Sequence, residues 1–460
     1  MWPLIDHYRG GVSVDNSMSL LRVALEDACG HDGCPLCYVL NSREQDWLEI
    51  FLRERGADPG MGRLMRDSLG LCLRHAGVIA EQADLEGPLA LVFVYDDLLD
   101  DLLGGRRVAR SPLSRQSDRG RRLYQRLSKV TPGDRCPACV ARRHSEGAFA
   151  GECARAMAGS RFAVLYDQSA GLCDAHLRYV LRSAAPAVQL HLLNTQMARL
   201  ASVLPGLQRV ERESDFRDTE ALRRAVMLLV GPNGYGCEGE RPRSLSGVDT
   251  GACVLCAAEH QALKAYMSGL LRGKQTCTSE PVWVCAQHAW QFGYTARKSG
   301  AARVYRSWLT AAVASVTSEY WECADEVHAA MVAKPTAIRW LRRQQAFAVP
   351  APRQCSACIA MSAAANERAT RLAEYVVCAD VCLRHASLVA HTLPERPREI
   401  LCEHLVVKMA QVHHELDEYI RARSWQPGLE QKTVSRDSWQ RAVELFVGHR
   451  GRTQAEVLNQ

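Results

Sequence analysis

Long apolar runs are missing from this chain: no stretch of about twenty such residues occurs, so no segment is expected to span a membrane. Residues 1–11, MWPLIDHYRGG, lack the basic region, apolar core and small-residue cleavage site of a secretory signal, which predicts a cytoplasmic setting. Alternating strand patterns are scarce. There is no Walker loop, dinucleotide fingerprint, G-x-S-x-G elbow or H-E-x-x-H pair, so the common nucleotide, hydrolase and metalloprotease readings have nothing to stand on. Charge of one sign is also lacking: a net +6 over 460 residues permits an acidic partner without demanding one. With 47% apolar and 23% charged residues, the composition excludes wholesale disorder and allows two to four domains.

Cysteine, in contrast, is abundant. In a reducing compartment nineteen of them point to metal ligation before disulfides. Twelve fall into one pattern, C-x-x-C with a later C-x-x-H. The local reading pairs Cys34 and Cys37 with Cys72 and His75, and Cys136 and Cys139 with Cys173 and His176. It likewise pairs Cys253 and Cys256 with Cys285 and His288, and Cys355 and Cys358 with Cys382 and His385. Three thiolates and one imidazole suit tetrahedral Zn²⁺ with no open position, about four ions per chain. An iron–sulfur cluster with a histidine ligand is the alternative at the same residues. No C-x-x-C runs directly into a histidine, which excludes c-type haem attachment, and no βαβ setting supports a thioredoxin-like dithiol.

Spacing strengthens the pattern. Cys34 and Cys136 are 102 positions apart, as are Cys253 and Cys355, and 219 separate Cys34 from Cys253. The strings RAVMLLVG (224–231) and RAVELFVG (441–448) echo this offset. The chain reads as a duplicated half, each half holding two related units and a closing helix. The expected division is 1–106, 107–232 with a closing helix, 233–335, and 336–460 with a closing helix, one metal site to each unit.

Helical periodicity runs almost throughout. Leu91, Tyr95, Leu98 and Leu102 form one stripe, closed by Gly104, and Leu401, Leu405, Met409, Val412 and Leu416 form another. The fold class is therefore all-α, a tandem pseudo-repeat in which each helical unit is stapled by a Cys₃His site. Each ligand pair is expected at a helix start, where the macrodipole favours thiolate, so that the metal ties two helix N-termini together. Linkers are expected at 104–121, at 231–251 and before Cys355.

This arrangement resembles a prokaryotic family of uncharacterised helical proteins carrying CPxC and a later GxCxxH. The matching residues are CPLC (34–37) with GLCLRH (70–75) and CPAC (136–139) with GLCDAH (171–176). The third and fourth copies, CVLC and CSAC, lack the proline, and their C-x-x-H strings lack the glycine. The resemblance implies a fold and no activity.

Cys29, Cys153, Cys237, Cys277, Cys323, Cys378 and Cys402 stand outside the pattern and read mostly as buried small residues, with Cys277 and Cys378 as alternative ligands. His144 and His260 read as exposed helix histidines, and His413 and His414 beside Glu415 and Asp417 as a solvated face. The arginines of 106–122 offer a phosphate-gripping run, so a nucleic-acid partner is allowed, but no aromatic residues interleave to stack bases. The resulting expectation is a zinc-binding, non-catalytic scaffold or adaptor that presents a surface to a protein partner. Its alternative is a metal-handling or redox protein with labile zinc or Fe–S clusters.

Overall fold

The computed structural model describes residues 14–55, 58–104, 116–130, 135–213, 219–231, 253–272, 285–295, 299–312, 355–374, 380–424 and 437–448. Among them there are helices and no strands. The helices of the first half are α1 Val14–Ala28, α2 Pro35–Ile50, α3 Pro59–Ser68, α4 Leu73–Glu86, α5 Leu89–Leu103 and α6 Gln116–Leu127. They continue with α7 Pro137–Ala156, α8 Ser160–Gln168, α9 Asp174–Leu181, α10 Pro186–Glu213 and α11 Thr219–Val230. The second half holds α12 Val254–Leu271, α13 Ala286–Thr295, α14 (299–312), α15 Ser356–Glu374, α16 Leu383–Thr392, α17 Glu395–Ser424 and α18 Ser438–Val447. No described helix is long and apolar enough to cross a membrane.

The chain forms two compact units, each drawn from three stretches of the sequence. One comprises 1–43, 143–238 and 267–357; the other comprises 44–142, 239–266 and 358–460. Apart from the boundary at 238/239, each lies inside a helix that a C-x-x-C begins: α2, α7, α12 or α15.

In the first unit, Leu25, Leu36 and Leu40 pack with Phe149, Phe162, Tyr166 and Leu177, all buried. Burial of such side chains stabilises by roughly 1.5–3 kcal/mol each. Cys29 and Cys153 belong to this core, as expected of small apolar residues. In the second unit, α17 packs along α5 and α6. The stripe Leu91, Tyr95, Leu98 and Leu102 is buried, and Tyr95 meets Phe446 edge-on at 5.1 Å between ring centroids. Cys402 is buried too, with Gly120 of α6 against its side chain. Residues 116–121 are therefore helical, not linker, and Gly120 packs against Cys402, where a Cβ would lie 3.5 Å from the cysteine's own. Arg121 and Arg122 face solvent from this helix, while 105–115, with Arg106, Arg107, Arg110 and Arg115, lie outside the described residues. So do most of 231–251, the break before Cys355, and Cys237, Cys277, Cys323 and Cys378.

Candidate metal centres

Every ligand pair begins a helix. Cys72, Cys173 and Cys382 are N-cap residues with extended backbone, ψ 161–164°, and their side chains make no capping hydrogen bond. Each leaves its carbonyl to accept the first helical bond, from Ala76, Leu177 and Ala386, all at 2.8 Å. Cys34, Cys136, Cys253 and Cys285 do the same toward Tyr38, Val140, Ala257 and Ala289. The partner of each pair, three residues on, is therefore at N3. N-cap and N3 side chains face one another, which is why S-x-x-E closes ordinary helix starts. Here the same geometry turns two sulfurs, or a sulfur and an imidazole, toward one point. Pro35 and Pro137 at N1 lose no helical hydrogen bond and pre-set the first turn.

All sixteen expected residues converge in fours, but the partners are not those of the local reading. Centre I is Cys34, Cys37, Cys173 and His176, and centre II is Cys72, His75, Cys136 and Cys139. Centre III is Cys253, Cys256, Cys382 and His385, and centre IV is Cys285, His288, Cys355 and Cys358. In each half the first pair joins the last and the middle two join each other. The pairing is nested.

Helix length explains the correction. Between Cys37 and Cys72 lie the 16-residue α2, which Cys37 helps to begin, a five-residue π-turn, Phe51–Arg55, and the 10 residues of α3. At 1.5 Å per residue the first leg is about 30 Å and the second about 15 Å, so α3 is too short to carry Cys72 back to Cys37. The 20-residue α7 and 9-residue α8 repeat the imbalance before Cys173. A hairpin with equal legs would have allowed local pairing; these legs differ twofold.

The atoms sit where a single tetrahedral ion needs them. In centre I, Cys34, Cys37 and Cys173 Sγ lie 3.4, 3.1 and 3.4 Å from His176 Nδ1, and Cys37 and Cys173 Sγ are 3.8 Å apart. In centre II, Cys72, Cys136 and Cys139 Sγ lie 3.2, 3.3 and 3.3 Å from His75 Nδ1, with Cys72 and Cys139 Sγ 3.7 Å apart. Centre III gives 3.3, 3.4 and 3.3 Å to His385 Nδ1. In centre IV, Cys285 and Cys355 Sγ stand 3.3 and 3.4 Å from His288 Nδ1. Zinc–sulfur bonds of about 2.3 Å imply a sulfur–sulfur edge of about 3.8 Å, so the donor set fits the ion.

With Nδ1 turned inward, each imidazole offers Nε2 outward, and three carboxylates meet it. Glu44 Oε1 makes a short contact with His75 Nε2, Glu146 Oε1 lies 3.3 Å from His176 Nε2, and Glu259 Oε1 lies 3.1 Å from His385 Nε2. Such carboxylate–histidine pairs fix the tautomer and make the imidazole a better ligand. Glu44 is buried, and its other oxygen accepts from Arg74 at 2.9 Å and Arg142 at 2.6 Å. Arg384 donates likewise to Glu259 at 2.6 Å. The string CLRH thus carries a second function at centres II and III: its arginine neutralises the carboxylate that braces its histidine. Centre I has Asp174-Ala175 and centre IV Ala286-Gln287 at those places. Glu44 and Glu146 both stand seven residues after a C-x-x-C, Cys37 and Cys139, and each braces the histidine of a centre that its own C-x-x-C does not enter.

The same contacts shift the proton affinities of the groups in centre II. Burial alone would lower the His75 pKa, but hydrogen bonds with Cys139 and Cys72 and the Glu44 carboxylate raise it to about 11. Hydrogen bonds from Cys136 and Cys139 hold the Cys72 thiol far below its usual range. Burial works against the Glu44 carboxylate as well, and His75, Arg142 and Arg74 outweigh it and lower its pKa. A dication binding at such a centre would displace the protons of its thiols.

Closure comes from the two echoed strings. Gly231, φ +76°, and Gly448, φ +86°, end α11 and α18. A Cβ on Gly448 would lie 2.5 Å from Cys256 Sγ and 3.0 Å from Cys382 Sγ, and one on Gly231 would overlap Cys37 Sγ. Trp290 Nε1 donates to the Gly231 carbonyl at 2.8 Å. The closing helices therefore press bare backbone onto centres I and III.

Residues outside the four sets fall elsewhere. His144 is exposed and His260 half-buried, and neither joins a centre. His413 does not lie on a solvated face: it is largely buried, with Asp96 Oδ1 3.2 Å from its Nε2. No family model, curated protein or solved structure matches the chain.

Proposed function

We propose that this protein is a helical scaffold stapled by four structural zinc ions, one at each Cys₃His set, and that it acts by presenting a fixed surface to a macromolecular partner. The observation that carries the reading is closure. In each set the four donor atoms lie within 4.8 Å of one another, so protein groups fill all four vertices and leave none for a substrate. The spacing of 3.7–3.8 Å between sulfurs favours one ion over a polynuclear cluster, whose thiolates bind separate irons. Each ion ties two helix N-termini that are remote in sequence, which is what a fold made of short helices needs. Exposed Leu89 and Phe93 on α5 and Leu20 and Val23 on α1 supply apolar contact of the kind protein partners use.

Elemental analysis of protein purified without oxygen tests this. About four zinc ions per chain, no acid-labile sulfide, and loss of helical circular dichroism on chelation are expected. Iron with sulfide, or retained helicity after complete metal removal, contradicts it. One observation supports a second reading at one place: Cys358 is exposed and Cys285 half-buried, so centre IV has the openness of an exchangeable ion.

A further inference from the structure

Two of the bracing carboxylates stand on helices that join one centre to another. Helix α2 begins at centre I, with Cys34 and Cys37, and runs unbroken to Ile50. Seven residues after Cys37, two turns or about 10 Å along the helix axis, its Glu44 meets His75 of centre II. Helix α7 does the converse. It begins at centre II, with Cys136 and Cys139, and seven residues after Cys139 its Glu146 lies 3.3 Å from His176 of centre I. Arg142, on the turn between, donates to Glu44 at 2.6 Å, so α7 also supports the brace that α2 brings. Each helix is thus pinned at its start by one centre and carries its carboxylate to a ligand of the other.

The second half of the chain lacks this exchange. The residues seven after Cys256 and Cys358 are Leu263 and Ala365, both buried. Its brace is Glu259, three residues after Cys256, and it meets His385 of the centre that Cys256 itself enters. Neither α12 nor α15 places a carboxylate where α2 and α7 do.

We propose that centres I and II are one coupled pair: loading either raises the zinc affinity of the other about tenfold, whereas centres III and IV load independently of each other. The coupling rests on the reading that zinc fills the four Cys₃His sets. Its physical basis is the fraying of helix ends. An ion held by N-cap and N3 side chains fixes a first turn whose N–H groups have no helical partners of their own. Without the ion the opening turns come loose, and the carboxylate two turns on loses its fixed approach to the imidazole. Complete loss of such a brace costs roughly 10–100-fold in metal affinity, and partial loosening falls at the lower end. Linkage makes the effect equal in both directions. It appears only when a centre is empty, so a substitution that weakens centre II without emptying it leaves a loaded centre I as it was.

The test empties centre I without touching α2 or α7. Cys173→Ser with His176→Ala removes the two ligands at the start of α9, and competition with a calibrated chelator reads the zinc that remains. One of about three ions is expected to bind about tenfold more weakly than in the unaltered protein. Cys382→Ser with His385→Ala, which empties centre III, should leave its remaining ions within about twofold of theirs. Unchanged affinities after the loss of centre I overturn the coupling. The zinc count of the unaltered protein separates that failure from the failure of the zinc reading: about four uncoupled ions refute the coupling alone, and fewer refute the reading beneath it. A second measurement needs no emptied centre. Glu44→Gln with Glu146→Gln cuts both connections and keeps every ligand. Chelator titration of the unaltered protein should show two ions leaving together, with a Hill slope above one, and the double variant should release them separately. Equal slopes in the two proteins overturn the coupling.

Discussion

Gly231 ends its helix with the backbone pressed against the thiol of Cys37, so closely that a methyl group has no room there. Gly448 stands in the same way to Cys256. Both have positive φ, so the absent side chain serves twice: it allows the left-handed turn and it lets the backbone approach the sulfur. The two RAVxLxVG strings are alike because each closes the same kind of centre.

Gly231→Ala is therefore expected to cost more than a positive φ alone. Gly87 supplies the control, since a Cβ there, at φ +104°, meets nothing within 4 Å. Gly87→Ala should destabilise by about 1 kcal/mol and Gly231→Ala by at least about twice that. Gly231→Ala should also speed zinc loss from one centre. Denaturant unfolding and a chromophoric zinc-release assay measure both. Equal costs at the two glycines would mean that the close approach to sulfur contributes nothing.

Glu44→Gln should loosen one ion and leave the others. The substitution takes the charge from the carboxylate that His75 Nε2, Arg74 and Arg142 all face. Loss of such a brace costs roughly 10–100-fold in metal affinity. Competition with a calibrated chelator should resolve one weakened zinc among about four. Unchanged affinity would mean that the histidine needs no carboxylate to hold its tautomer.

Zinc should leave centre IV first. Cys358 is exposed and Cys285 half-buried, whereas the ligands of centres I and III are buried throughout. Chelation is expected to be biphasic, and Cys358→Ser should abolish the fast phase. A fast phase that survives Cys358→Ser places the labile ion elsewhere.

Cysteine chemistry should separate ligands from packing. Burial raises the thiols of Cys29 and Cys402 to about 11, so both stay neutral and unreactive toward iodoacetamide at pH 8 in the folded protein. These shifts also carry a sign for stability. A thiol that ionises near 9 when unfolded and near 11 when folded contributes no pH dependence below 9 and destabilises progressively as pH rises from 9 toward 11. Alkylation with mass-spectrometric readout, and melting temperature between pH 8 and 11, check both. Rapid labelling of Cys402 in native protein would contradict its burial.

The ligands were legible in sequence because their signature is local: a cysteine at N-cap and its partner at N3 lie within four residues. The helix starts and the Leu91–Leu102 stripe were legible for the same reason. The pairing of ligand sets was not, because it depends on the lengths of α2 and α7 against those of α3 and α8 that follow them. Those lengths differ twofold, and the spacing of cysteines carries no trace of it. Glu44 and Glu146 left a faint signal, each seven residues after a C-x-x-C, and the repeated CLRH marked Arg74 and Arg384. His413 read as a surface residue because Asp96, which faces it, is more than 300 positions away.

Zinc counting in two double variants tests the nested pairing most directly. Cys37 and Cys173 share centre I, whereas Cys37 and Cys72 belong to centres I and II. Cys37→Ser with Cys173→Ser should remove one ion and leave about three, and Cys37→Ser with Cys72→Ser should remove two and leave about two. The reverse result, about two ions in the first variant and about three in the second, would restore local pairing and contradict the nested architecture.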